Sequence, residues 1–357
     1  MTKIKTIQTW SSDLANTKPY TIAFKTVSEV RNAFVEITLD DGTTGIGSGN
    51  PSEYVVGESL KQCIDALQEQ NLTFLIGRDI REFRQLLWEV LQRFPVNPSA
   101  RAALDIALHD VFTKHLGISL VKFLGQKIST LPTSNTIGIK NVEETLKEAA
   151  DYIDRGFRVL KVKLGKDLQE DIERIVKLRE KFRNDVVIRI DANQGYDVKQ
   201  TLEFYKRTLA LNVELIEQPL LAKAVEEMRS LPDEIKEKIA ADESLISPAD
   251  ALRLIQPPRA SGIFNIKLMK CGGVSQALKI ADIALLGKVN LFWGCNDESI
   301  VSITAALHAA FACSNTRYID LDGSLDLGRD EVTDGFILKD GYMTCSDQPG
   351  LGVTRIS

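Results

Sequence analysis

Seven apolar, strand-like segments recur along this chain at intervals of 25 to 28 residues, ending at Lys163, Asp191, Glu217, Asp242, Lys267, Gly294 and Asp320. A strand, a helix and two short loops consume roughly that many residues, so the repeat reads as successive βα units. Ser134 to Gly138 supplies a first strand, with Thr136 standing 27 residues before Lys163. When such units close into a barrel, the C-terminal ends of all the strands meet at one face, where sites are built. Every end but Gly294 carries a side chain suited to chemistry, so lysines and carboxylates converge on one pocket. Scattered surface charge would show no such register.

The chain's 357 residues exceed the roughly 250 of a barrel, which leaves room for a second domain. Asn32 to Asp40 alternates polar with apolar residues, and Asp41-Gly42 is a hairpin signal. From about Ser59 to Leu116 the pattern is helical. Ser99 reads as an N-cap, Leu104, Ala107, Leu108, Val111 and Phe112 as an apolar face, and Gly117 as the stop. Strands followed by helices without alternation indicate a separate α+β domain. Between the second and third barrel strands, Leu168, Ile172, Ile175 and Val176 form one apolar stripe of a helix. After an eighth strand at Arg317 to Asp322 no amphipathic helix follows. Gly335 to Leu338 and Gly341 to Thr344 read instead as strands returning to the first domain. The expected division is residues 1–125, an α+β domain; 126–325, the barrel; and 326–357, a C-terminal tail.

The net charge of −5 and the absence of a Lys/Arg block give no footprint for nucleic acid or a membrane surface. No apolar run approaches the roughly 18 residues of a membrane span, and the first seven residues alternate like a strand rather than a signal peptide. Cys63, Cys271, Cys295, Cys313 and Cys345 are widely spaced without a C-x-x-C pair. That argues against a disulfide framework or zinc site and for a reducing cytoplasm. His109, His115 and His308 fall in helical stretches, and no Ser/His/Asp arrangement, Walker loop or G-x-G-x-x-G is present. Histidine catalysis and nucleotide chemistry are not indicated.

Lys161-Val162-Lys163 closes the second strand with both ammonium groups on one side. Each cation penalises protonation of its neighbour, so the pair is expected to lower a lysine towards the neutrality that a general base needs. Asp191, Glu217 and Asp242 end three consecutive strands. Crowded carboxylates repel unless a cation joins them, and an all-oxygen set suits Mg²⁺, which prefers near-octahedral oxygen ligation. Lys267 ends the sixth strand, opposite the second in a barrel. Lys163 and Lys267 would therefore flank a bound substrate, as a 1,1-proton transfer from opposite faces of one carbon requires. Lys270 is expected outside the site, and Cys271-Gly272-Gly273 is a turn that could bring N–H groups to an anion.

These residues, with Asp191-Ala192-Asn193-Gln194-Gly195 and Ile266-Lys267-Leu268-Met269-Lys270, closely resemble the muconate-lactonizing-enzyme subgroup of the enolase superfamily over nearly the whole chain. The resemblance implies a (β/α)₇β modified TIM barrel with an α+β capping domain that the tail completes. It also implies lysine-and-magnesium chemistry: Lys163 and Lys267 as acid/base catalysts, and Lys161 as stabiliser of an enolate. Asp320-Leu321-Asp322-Gly323 resembles the D-x-D of dipeptide epimerases, whose paired carboxylates receive the dipeptide's α-ammonium. Lys18 to Lys25 is similar to their capping loop. Thr136, Lys25, Cys295 and Asp297 are the remaining candidate substrate contacts. Lys25 stands where Ala-Glu epimerases carry an arginine, and Asp297 replaces an apolar residue. If these two pair, the pocket is small and neutral, and that arrangement is preferred here to Lys25 binding an acidic side chain. The implied activity is Mg²⁺-dependent epimerisation of the C-terminal residue of an alanine-containing dipeptide, by a cytoplasmic isomerase. Ala-Glu specificity, o-succinylbenzoate synthase or muconate cycloisomerase chemistry, and an inactive binding barrel are the alternatives. Homo-oligomer formation stays open.

Overall fold

Eight parallel strands follow one another in chain order around a closed sheet: Asn135–Ile137, Val159–Lys163, Val187–Asp191, Val213–Glu217, Ile239–Ala241, Ile263–Ile266, Asn290–Trp293 and Thr316–Ile319. They belong to a computed structural model that describes residues 2–15, 20–22, 25–27, 30–53 and 55–356. Closure is direct. Ser134 N–H donates to Ile319 O at 3.2 Å, and Thr133 bridges Ile319 in parallel. The axis is filled by Leu215, Ala240, Ile263 and Phe292 with Tyr318 against them, so the barrel is a packed core with its working end at the strand C-termini. Outside, the Leu168–Phe182 helix starts at Asp167, whose carboxylate caps Gln169 and Glu170. It buries Ile172, Ile175 and Leu178, with Leu168 and Val176 at the margin.

The first domain is an antiparallel sheet of Ile4–Asp13, Arg31–Leu39 and Thr44–Gly49 with helices on one face. Gly45, Gly47 and Gly49 alternate along the third strand, and a Cβ on Gly47 would stand 1.9 Å from Ala103 O. Only glycine lets the Pro98–His115 helix lie this close to the strand. That helix is buried along nearly its whole length because the barrel covers its other side. Arg101 donates to Cys271 O at 3.0 Å, and Asp105 accepts from Ser275 N–H at 3.3 Å. The first domain is thereby seated over the end of the sixth strand.

Two expectations need correction. Asn97 is the N-cap of this helix, because Pro98 takes the first helical position where its missing N–H costs nothing. Ser99 lies inside the first turn, and its N–H donates to Glu58 Oε2 at 2.6 Å, so a distant buried carboxylate does the capping. The Phe336–Lys339 and Tyr342–Cys345 strands do not return to the first domain. They pair with each other, and Tyr342–Cys345 pairs with Leu131–Pro132 at the barrel's N-terminal end, where Thr133 N–H donates to Gly341 O. The tail reaches the first domain on either side of that hairpin, through Gly328 and Arg329 N–H on Ala15 O and Leu14 O at 2.9 and 3.1 Å, and through Leu351 N–H on Asp110 and Arg355 on Glu36 at 2.8 and 2.7 Å. Among the described residues no helix is long and apolar enough to cross a membrane. All five cysteines are free thiols.

Candidate active site

Parallel pairing in register sets Lys163 beside Asp191 and Glu217 beside Asp191 on the other side. Asp242, Lys267 and Asp320 are each the first residue past their strands. The consequence is one contiguous field of buried charge. Lys163 Nζ donates to Asp191 Oδ2 at 2.7 Å. Lys161 Nζ lies 3.5 Å from Asp191 Oδ2, 2.8 Å from Glu217 Oε2 and 2.8 Å from Asp320 Oδ2. On the far side Lys267 Nζ donates to Asp242 Oδ2 at 2.8 Å. With eight strands in sequential order, the second and sixth lie across the barrel from each other. Lys163 and Lys267 therefore approach the carboxylates from opposite walls.

Sequence reasoning placed Lys270 outside this field, and the structure places it inside. Lys267 begins a single helical turn, Leu268–Cys271, which carries Lys270 back over the barrel. Its ammonium ion-pairs with the Asp242 carboxylate and donates to Asp242 O at 2.6 Å and Asn265 O at 3.0 Å. Two further residues escaped notice. Asn265 Nδ2 donates to Glu217 Oε1 at 2.8 Å, and Gln218 Oε1 accepts from Asp242 N–H and Ser244 at 2.8–3.2 Å. Asn265 stands two residues before Lys267 and so shares its face; that spacing was a usable signal. The Cys271-Gly272-Gly273 turn packs on Arg101 and Asp105, so closely that a Cβ on either glycine would overlap them.

The expected mutual suppression of Lys161 and Lys163 is also corrected for Lys161. Burial alone would lower the Lys161 ammonium, but Asp320, Glu217 and Asp191 outweigh it and hold it well above the usual lysine range. Burial likewise works against Lys267, and Asp242 and Glu217 reverse it, raising that group too. Each ammonium faces carboxylates at contact distance, which decides the sign. Glu217 is pushed up to about 8 by burial and by Asp191. Asp242 is depressed because Lys267 and Lys270 overcome its burial.

At the eighth strand the two aspartates divide their partners. Asp320 accepts from Ser134 Oγ at 2.6 Å through Oδ1 and from Lys161 through Oδ2. Asp322 Oδ2 accepts from the Thr136 N–H at 2.8 Å, so Thr136 contributes backbone. Burial and the adjacent Asp320 push Asp322 up to about 7. Cys295 Sγ contacts Asp320 O at 3.2 Å, closing the gap between the seventh and eighth strand ends. Asp297 is half-buried in the loop following the seventh strand, close enough to Glu298 to add to its upward shift, which burial dominates. Lys25 opens a short strand, Lys25–Val27, paired with Tyr20–Ile22. Its side chain, and Lys18, Pro19, Ala23 and Phe24, lie outside the described residues.

The carboxylates suit a hard divalent cation chemically. Glu217 Oε2, Asn193 Oδ1 and Glu243 Oε2 are buried oxygens that accept no well-directed hydrogen bond; the Glu217 oxygen has only its off-line Lys161 contact. Among the described residues no three acidic, histidine or cysteine side chains converge at ligating geometry. Lys161 bridges Asp191 and Glu217, and Lys267 and Lys270 pair with Asp242, so an ammonium lies against each of the three carboxylates.

Comparison with known proteins identifies the family. Residues 5–125 match the mandelate racemase / muconate lactonizing enzyme N-terminal domain, and 144–355 match the enolase C-terminal domain-like family. An L-Lys-D/L-Arg epimerase of Desulforapulum autotrophicum is 52% identical over 99% of this chain and 100% of its own length. An L-Ala-D/L-Glu epimerase of Clostridium acetobutylicum is 35% identical over 95% of each chain. A crystal structure of a dipeptide epimerase from Methylococcus capsulatus, complexed with Mg and the dipeptide L-Arg-D-Lys, superposes with a TM-score of 0.97 at 50% identity. It covers 98% of this chain and 99% of that one. The lysine and carboxylate constellation, the barrel under its α+β domain and both family matches lead to one assignment: this chain belongs to the mandelate racemase and muconate lactonizing enzyme group of the enolase superfamily.

Proposed function

We propose that the protein is a Mg²⁺-dependent epimerase that inverts the α-carbon of the C-terminal residue of dipeptides with basic side chains. One observation carries the reading: Lys163 and Lys267 reach the Asp191/Glu217/Asp242 field from opposite walls of the barrel. A carbon held between them loses its proton to one lysine and regains one from the other on the opposite face. Lys161, at the foot of the field, faces the substrate carboxylate as it gains enolate charge. Asp191, Glu217 and Asp242 are the residues that would hold Mg²⁺, which when bound neutralises both their charge and that of the substrate carboxylate. Asp322, with Asp320 beside it, receives the α-ammonium.

The basic preference replaces the expectation of a small, neutral, alanine-containing dipeptide. Two relatives of 50% identity or more are named L-Lys-D/L-Arg epimerases. The loops after the seventh and eighth strands also add Asp297, Glu298, Asp322 and Asp326, several of them mutually close. Cys295 is raised first by burial and then by Asp322, Glu298 and Asp320 together. A guanidinium or ammonium side chain is favoured there and a glutamate side chain repelled. Five free thiols support a reducing, cytoplasmic location.

The test is α-proton exchange in ²H₂O with Mg²⁺ over dipeptides ending in Lys, Arg, Ala, Leu and Glu. Exchange and inversion fastest for Lys and Arg are expected. Preference for Glu-ending dipeptides would overturn the basic assignment, and exchange with none would overturn the activity.

A further inference from the structure

A polar chain runs through the barrel beneath the site, and no catalytic step uses its two lower members, Arg189 and Ser134. Arg189 stands two residues before Asp191 on the same strand, so its side chain also points into the barrel. It is almost completely buried, with its guanidinium over the rings of Phe292 and Tyr318 at 5.5 and 5.2 Å. Nε donates to Glu214 at 2.7 Å towards the barrel's N-terminal end. Nη1 donates upward to Ile319 O at 2.8 Å and to Ser134 Oγ at 3.2 Å. Ser134 Oγ in turn lies 2.6 Å from Asp320 Oδ1, and Asp320 Oδ2 meets Lys161 at 2.8 Å.

The hydrogen bonds have a fixed direction. Arginine has no acceptor, so Ser134 Oγ must accept from it. The single serine proton is then free only to donate, and Asp320 Oδ1 is the closest acceptor. One oxygen of Asp320 is thus pinned to the first barrel strand and the other to Lys161. Ile319 O, the last strand carbonyl before Asp320, is held by the same guanidinium. An Arg, a Ser and a Lys from three different strand segments hold the Asp320 carboxylate in a single rotamer.

We propose that Ser134 and Arg189 are positioning residues that set the orientation of Asp320, and through it the seat of the substrate's α-ammonium relative to Lys161. This rests on the epimerase reading above. The chain makes ammonium recognition depend on a hydroxyl that never touches substrate. Removing that hydroxyl releases Oδ1 and leaves Asp320 held through Lys161 alone, and the loss falls on substrates that carry a free α-ammonium.

The experiment compares wild type, Ser134→Ala and Ser134→Thr, all Mg²⁺-loaded, on a dipeptide and its N-acetyl derivative. It reads kcat/KM and, separately, calorimetric affinity for each compound. In Ser134→Ala the ratio of dipeptide to N-acetyl dipeptide should fall at least fivefold in both readouts, chiefly through KM. Ser134→Thr keeps the hydroxyl and should recover most of the ratio. A purely structural role would depress both compounds alike, so an unchanged ratio in Ser134→Ala overturns the inference, as does failure of Ser134→Thr to recover it. If wild type itself neither binds nor turns over dipeptides, the epimerase reading has failed instead. Should Ser134→Ala not fold, Arg189→Lys is measured the same way, since a lysine keeps the charge but loses the fork geometry that serves Ile319 and Ser134 at once.

Discussion

Lys163 and Asp191 are paired neighbours on adjacent parallel strands, and the ammonium of one donates to the carboxylate of the other at 2.7 Å. A proposed base and a proposed metal ligand are thus one contact apart. The same is true across the barrel, where Lys267 sits on Asp242. Metal binding and base function are consequently linked on both walls of the site.

Replacing either base should separate exchange from inversion. Lys163→Ala and Lys267→Ala are each expected to lower epimerisation by about 10²–10⁴-fold, the usual worth of general acid–base catalysis. Each variant retains one base and should still wash the α-proton out of one stereoisomer. Proton NMR in ²H₂O with the separate L and D forms checks this. Two variants that both still epimerise would remove the two-base assignment.

Lys270 should matter to stability as much as to activity. It is fully buried on Asp242 and on two carbonyl oxygens. Lys270→Met breaks a buried ion pair and is expected to cost about 3–5 kcal/mol of folding stability in chelator. Urea denaturation measures it. A loss below about 1 kcal/mol would show that the pair is not held as described.

The buried His308 sets an acid limit. Its Nδ1 accepts from Val121 N–H at 3.0 Å, and burial lowers the imidazole to about 3. The unfolded chain takes up this proton near pH 6.5, the folded chain only near 3. Stability contributed by keeping His308 neutral is therefore complete above pH 6.5 and lost as pH falls towards 3, by about 1.4 kcal/mol per pH unit. His308→Asn keeps an acceptor without the titration, so its stability should decline less between pH 6.5 and 4.5. Parallel curves for the two proteins would contradict the assignment.

Asp297 is the residue proposed to set the side-chain preference. Asp297→Leu should weaken selection of basic over leucine-ending dipeptides by about 1–2 kcal/mol, between the worth of an exposed and a buried ion pair. Competition assays with paired substrates give the ratio. No change in it would place the basic side chain elsewhere.

Much of this was legible in the sequence because barrel strands impose a period. The spacing of 25 to 28 residues put the seven marked strand ends within one residue of their observed positions, although the eighth strand, expected over Arg317 to Asp322, stops at Ile319. Lys161, Lys163, Asp191, Glu217, Asp242, Lys267 and Asp320 are indeed brought together, since parallel register leaves them nowhere else to go. What escaped was side-chain reach across non-periodic backbone. Lys270 looked distant until one helical turn folded it over Asp242. Ser99 looked like a cap because Glu58 is 41 residues earlier. The Phe336–Lys339 hairpin carries the alternation of any strand, and nothing local says that Leu131–Pro132 is its partner. Arg189 and Ser134 were hidden in apolar strands, where a polar residue at an inward position was the available signal.

The proposed recognition of the α-ammonium by the eighth-strand aspartates makes the central claim measurable in one experiment. Wild-type protein with Mg²⁺ is given L-configured dipeptides ending in Lys or Arg, free and N-acetylated, in ²H₂O, and deuterium at the terminal α-carbon is followed by mass spectrometry. The account predicts deuterium incorporation with inversion for the free dipeptides, abolished by chelator and reduced at least tenfold by N-acetylation. Turnover that survives chelation, or N-acylated compounds processed as fast as free dipeptides, would contradict it.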